Sequence, residues 1–121
     1  MTTTQPVPGF SRGNVVLVLF PHSDLRTAKP RPALIVQADD LQTGLPQVIV
    51  AMITSNMVRA GHPSRIRFGK SSAPGRAMCL LTDSVVMTDN LATIAHPAIG
   101  RVIGQLPMAR VNVALRHTLA L

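Results

Sequence analysis

Between Pro21 and Pro32 the sequence gathers His22, Ser23 and Asp24 with three cations, Arg26, Lys29 and Arg31. An imidazole or a carboxylate there can take up a proton, and the cations can hold phosphate oxygens. A solvated hairpin loop has the same composition, so both readings stand on spacing alone. Arg31 lies between two prolines and ahead of an apolar run, which should extend its backbone and aim its side chain. A second cluster, Thr54-Ser55-Asn56, follows the apolar run Gln47 to Ile53. Its three small polar side chains can bind a phosphate or a sugar hydroxyl, or close an ordinary capped turn.

Composition narrows the chemistry. Of the 12 cations in the 121-residue chain ten are arginine, against 5 carboxylates, and the net charge is +7. An arginine-dominated excess points to an anionic partner, nucleic acid first. The carboxylates are Asp24, Asp39, Asp40, Asp83 and Asp89, and the absence of glutamate excludes paired-Glu chemistry. Phe10, Phe20 and Phe68 are the only aromatics, too few for a base-stacking platform, so a nucleic-acid site must rely on cations and hydrogen bonds. The four histidines have no metal-site spacing, and Gly-rich phosphate loops, HExxH and GxSxG are absent, leaving no metal or cofactor implied. The lone Cys79 sits in the apolar stretch Met78 to Leu81 and is expected in the core of a protein from a reducing compartment. The first eight residues lack a signal-peptide pattern, and no apolar run approaches the length of a membrane helix. A soluble, cytoplasmic protein is expected.

Ten prolines and eight glycines cut the chain into short apolar segments, a spacing that favours strands. Strands are predicted over Asn14 to Phe20, Ala33 to Gln37, Gln47 to Ile53, Arg65 to Phe68, Ala77 to Leu81, Ser84 to Thr88 and Ile99 to Leu106. The first is apolar almost throughout and should be buried on both faces. From Pro107 onward, Met108, Val111, Leu115 and Leu119 recur at helical spacing. The fold expected is mainly β, a small curled antiparallel barrel with a C-terminal α-helix. Residues 1–11 are taken as a flexible tail and 12–121 as one domain.

The segments Arg12 to Val18, Lys29-Pro30-Arg31-Pro32-Ala33-Leu34-Ile35-Val36, Ile53-Thr54-Ser55-Asn56, Asp83 to Asn90 and Ile103-Gly104-Gln105-Leu106, in that order and spacing, resemble the MazF/PemK family of type II toxin–antitoxin mRNA interferases. The resemblance implies an SH3-like barrel of the CcdB/MazF type, a symmetric homodimer, and metal-independent endoribonuclease activity on single-stranded RNA, held in check by a cognate antitoxin. It also implies that Arg31 and Thr54 are catalytic, and that attack of the 2′-hydroxyl on the neighbouring phosphorus leaves 2′,3′-cyclic phosphate and 5′-hydroxyl ends. Arg26, Lys29, Ser55, Asn56 and Arg59 are the expected RNA-binding residues, with Arg65 and Arg67 beside them. The chain departs from the family pattern at Asn14, Met87 and Asn90, which leaves His22 and Asp24 as the candidates for general base. Two rivals share the fold: a gyrase-poisoning toxin, against which the absence of tryptophan speaks, and a non-catalytic SH3-like binding module.

Overall fold

The computed structural model describes residues 10–21, 28–41 and 43–121. Six strands, β1 (Asn14–Pro21), β2 (Ala28–Ile35), β3 (Gln47–Thr54), β4 (Arg65–Phe68), β5 (Ser84–Ala95) and β6 (Ile99–Gln105), form one sheet in the order β4-β5-β3-β2-β1-β6. Every neighbouring pair is antiparallel. Helix α1 (Ala73–Ala77) precedes β5, and helix α2 (Ala109–Leu119) ends the chain. The mainly β fold with its C-terminal helix is as expected, but the sheet is open. The short β4 and the bulged β6 remain its two edges and do not pair with each other.

Both faces of the sheet carry an apolar cluster, because the central strands are apolar at successive positions. Val15, Leu34, Ile53 and Val86 pack on one face with Val111 and Ala114 of α2. Val16, Val18, Ala33, Val50 and Ile94 pack on the other. Adjacent residues of one strand point to opposite faces, so β1 is buried on both, as its composition predicts. Phe10 packs against the second cluster and lies 5.8 Å from the His96 ring.

The apolar stripe of α2 is narrower than predicted. Met108, Val111, Ala114 and Leu115 pack inward, whereas Leu119 is 49% exposed at the last turn. Asn112 is half-buried and accepts a hydrogen bond from the Arg12 guanidinium at 2.7 Å, tying the helix to the start of β1. At the middle of β5 the register with β3 jumps from Met52↔Met87 to Ala51↔Leu91, so Thr88, Asp89 and Asn90 bulge out. Buried Thr88 anchors this bulge by donating to the Ser64 carbonyl at 2.6 Å and sharing a hydrogen bond with Thr118 at 2.7 Å.

The segment Ala77 to Leu81 is not a strand. Ser72 caps α1 by accepting from the Gly75 N–H, and Pro74 suits its first turn. The chain then buries Met78 completely and turns at Cys79, whose φ of 56° is left-handed. Cys79 is consequently exposed and not in the core. Its apolar neighbours misled because a short apolar run does not distinguish a strand from a turn that plugs one side chain into the core. Asp83 fixes the other end of this segment: it accepts the Lys70 N–H at 2.9 Å and meets Arg67 at 3.2 Å. The backbone hydrogen bond first, and then Arg67, hold its carboxyl below the ordinary 3.8.

The α1 turn sits directly against β6 at Gly104, where a Cβ would collide with the backbone carbonyls of Ala77 and Met78. Gly104→Ala should therefore destabilise the protein by about 1–3 kcal/mol and lower the melting temperature by roughly 5–12 °C. Circular dichroism melts will check this, and an unchanged midpoint would contradict the packing.

Candidate active site

The site begins with a hydrogen bond that the sequence forbids. The Ile35 carbonyl accepts from the Gly13 N–H beside β1 at 2.9 Å, and the Val36 N–H donates to Ile49 of β3 at 3.1 Å. Backbone groups alternate sides along a strand, so Arg31, Ala33 and Ile35 face β1 while Pro30, Pro32 and Leu34 face β3. To continue past Ala33↔Met52, the ladder requires residue 32 to donate its N–H to the Ile53 carbonyl. Proline has none, and the β2–β3 register ends at that pair. The β1–β2 ladder, which these prolines do not face, runs on to Pro21↔Ala28. Beyond Met52 the strand β3 stays paired with β5 as far as Thr54↔Val85.

Arg31 and Thr54 stand just past the last β2–β3 pair, on the two lips of the opening. Two hollows meet there. One, of about 410 Å³, runs from Arg31, Ile53 and Thr54 to Met52, Met87 and Asn90. The other, of about 520 Å³, shares Arg31, Ile53 and Thr54 and extends past Ser55 to Leu17, Leu80 and Arg101. Arg31 is exposed and Thr54 half-buried. The Thr54 hydroxyl accepts the Asn56 N–H at 3.1 Å, and the Asn56 side-chain oxygen accepts the Val58 N–H at 3.0 Å. The capped-turn reading of this motif is thus correct, yet it uses the Thr54 oxygen as an acceptor and leaves its hydrogen available to a ligand.

Of the residues singled out in the sequence, Arg31, Thr54 and Ser55 come together in the hollows. Asn56 is exposed in the turn, and Arg59 is exposed and lines neither hollow. Lys29 lies on β2 opposite Phe20. His22, Asp24 and Arg26 fall outside the described residues. Arg65 and Arg67, expected to flank the cleft, are engaged by Asp89 and Asp83. Among the described residues no three His, Cys, Asp or Glu side chains gather as a metal site, and no helix is long and apolar enough to cross a membrane.

Sequence reasoning missed Arg101. Strand alternation would place it on the same face as buried Ile99, but the register steps from Val18↔Ile99 to Leu17↔Arg101 and skips Gly100. The bulge turns Arg101 to the opposite face, that of its β1 partner Leu17, where it lines the larger hollow with Leu17 and Ile103. A glycine inside a predicted strand was the available signal.

The PemK-like, MazF-like toxin family of type II toxin–antitoxin systems matches residues 11–119. Endoribonuclease MazF6 of Mycobacterium tuberculosis and endoribonuclease MazF2 of Mycobacterium bovis are each 34% identical over 107 residues, spanning 85% of this chain and 90% of the relative. Among solved structures, the Mycobacterium tuberculosis toxin MazF-mt6 superposes with a TM-score of 0.67 at 27% identity, covering 89% of this chain and 97% of that one. A mycobacterial endoribonuclease in complex with its cognate antitoxin has a TM-score of 0.70 at 24% identity, covering 93% and 96%, and shares the fold.

The origin of the opening can be checked directly. Pro32→Ala supplies the missing N–H, so the ladder should extend and the new amide at residue 32 should exchange with solvent about 100-fold more slowly than an unstructured amide. Hydrogen-exchange NMR reads this. Free exchange at that amide would mean that something other than the proline parts the strands.

Proposed function

This chain belongs to the PemK-like, MazF-like toxin family of type II toxin–antitoxin systems, and we propose that it is an endoribonuclease toxin whose cleavage centre is the opening between Arg31 and Thr54. The observation that carries this reading is the shared position of those two residues on the walls of both hollows, where the β2–β3 ladder ends. Its curated relatives are named endoribonucleases. Single-stranded RNA is the substrate, and a cognate antitoxin is the restraining partner. The protein works as a cytoplasmic homodimer. Exposed Val102 on the edge strand β6 gives a second copy apolar surface to cover.

The chemistry follows from the groups present. The RNA 2′-oxygen attacks the adjacent phosphorus, the new 2′-O–P bond forms, and the bond from phosphorus to the 5′-oxygen breaks. Negative charge grows on the non-bridging oxygens as this happens. The Arg31 guanidinium, on a strand braced by its pairing with Val18, presents fixed donors to that charge. The Thr54 hydroxyl adds one donor. The 2′-hydroxyl proton passes to a base, for which His22 and Asp24 on the β1–β2 connection are the candidates, and the departing 5′-oxygen takes up a proton. Arg26, Lys29, Ser55, Asn56 and Arg59 hold the RNA on either side; Asn56 keeps its amide donors for this, since only its oxygen serves the turn.

Arg31→Ala should cut cleavage of single-stranded RNA about 100-fold or more while weakening RNA binding far less. Thr54→Val should slow cleavage and cost about 1 kcal/mol of stability through the lost Asn56 cap. Thr54→Ser, which keeps the hydroxyl, should retain most of both. Cleavage and thermal melts on the same preparations test the assignment. Near-normal cleavage by Arg31→Ala and Thr54→Val would overturn it.

A further inference from the structure

The smaller hollow holds more than the two groups that the cleavage step uses. Its lining comes from three neighbouring strands, and the register puts the side chains on one face of the sheet. Ala33↔Met52 and Met52↔Met87 are cross-strand pairs, Arg31 stands two residues before Ala33, and Thr54 two residues beyond Met52. Alternation gives Arg31, Met52, Thr54 and Met87 a common face. The pair Val50↔Ala92 brings Ala92 to it as well, and Asn90, two residues earlier on β5, completes this hollow of about 410 Å³.

The bulge in β5 accounts for Asn90. Thr88, Asp89 and Asn90 are fitted where β3 has no residue between Ala51 and Met52. Two of the three fasten the bulge, Thr88 through Ser64 and Thr118, and Asp89 through Arg65. The third is exposed, and among the described residues nothing bonds to its side-chain amide. That amide sets a carbonyl acceptor beside an NH₂ donor. Such a pair meets the edge of a nucleobase in two hydrogen bonds, as it meets N6 and N7 of adenine. Around it the hollow is apolar, with Met52, Met87 and Ala92 as its walls. Thioethers lie well against aromatic faces, which gives a base a surface to rest on in a chain with only three phenylalanines. Strands β2 and β5 flank β3, so the backbones of Arg31 and Asn90 are two strand spacings apart, about 10 Å. A nucleotide with its phosphate at Arg31 extends its base toward Asn90.

We propose that this hollow is a base pocket of the cleavage centre and that Asn90 is its specificity-determining residue. The amide reads the edge of one of the two bases that flank the cleaved bond, and Met52 and Met87 take the face of that base. The proposal rests on the reading of Arg31 and Thr54 as the centre.

The test lets the full chain, Asn90→Ala and Asn90→Asp each digest one randomised pool of single-stranded RNA, and sequencing of the new ends gives base frequencies around the cut. Frequencies within one pool are independent of the overall rate. The wild type should favour one base at a position flanking the cut. Asn90→Ala should lower that preference about tenfold, the discrimination of one bidentate contact, and leave preferences elsewhere unchanged. Asn90→Asp, whose carboxylate only accepts, should change which base is favoured there. A second reading on the wild type needs no cleavage: the NMR signals of the Asn90 side-chain amide should shift with a nucleoside 5′-monophosphate and not with ribose 5-phosphate. A wild-type preference retained by both variants, or Asn90 signals that none of the four nucleotides moves, would overturn the pocket. Cleavage by Arg31→Ala at the wild-type rate would instead overturn the underlying reading, and it is scored in a separate assay.

Discussion

Pro32 has no hydrogen to give the Ile53 carbonyl, and the rest of the site depends on that vacancy in the ladder. Because alternate residues of β2 face opposite ways, prolines at 30 and 32 both turn toward β3 and leave the β1 side intact. One strand is thus held firmly on one edge and released on the other. The release parts β2 from β3 within a sheet whose remaining pairs hold position: β3 stays on β5 through Thr54, and β2 stays on β1 through Arg31. Arg31 and Thr54 are consequently close in the fold, unpaired with each other, and supported from behind. Such a frame sets a cation and a hydroxyl at fixed positions around a gap, which transition-state stabilisation requires of its donors.

The positive charge is divided by the same architecture. A net charge of +7 suggests a wholly basic binding surface, yet several arginines serve the fold. Arg65 and Arg67 tie β4 to Asp89 in the β5 bulge and to Asp83 just before β5, and Arg12 joins the first turn to α2 through Asn112. Exposed ion pairs of this kind contribute little each to stability; their larger effect is to withdraw those cations from the anion. What remains at the opening is led by Arg31, so the cleft takes its charge from placement more than from abundance.

The legible and illegible parts of the fold divide on physical lines. Strands β1, β3 and β4 were readable because their apolar patterns end at Gly, Pro or polar residues close to the true boundaries. The start of β2 was hidden because Lys29 to Pro32 look like a loop, yet pairing with β1 holds them as strand, since the proline nitrogens turn away from that ladder. β5 runs to Ala95, beyond the predicted Thr88, because the bulge at Thr88 to Asn90 breaks the alternation that marks a strand. Gly100 hid Arg101 in the same manner. The order of short motifs singled out Arg31 and Thr54, and the geometry adds what spacing could not: both line the hollows where the β2–β3 ladder ends.

The chemical identity of the new RNA ends tests the central claim most directly, since each mechanism leaves its own mark. Single-stranded RNA incubated with the purified protein in EDTA, and analysed by mass spectrometry of the fragments, should yield 2′,3′-cyclic phosphate and 5′-hydroxyl ends. That outcome requires the 2′-oxygen as nucleophile, the step proposed for Arg31 and Thr54. Fragments with 5′-phosphate and 3′-hydroxyl ends, or RNA left intact by the pure protein, would contradict it.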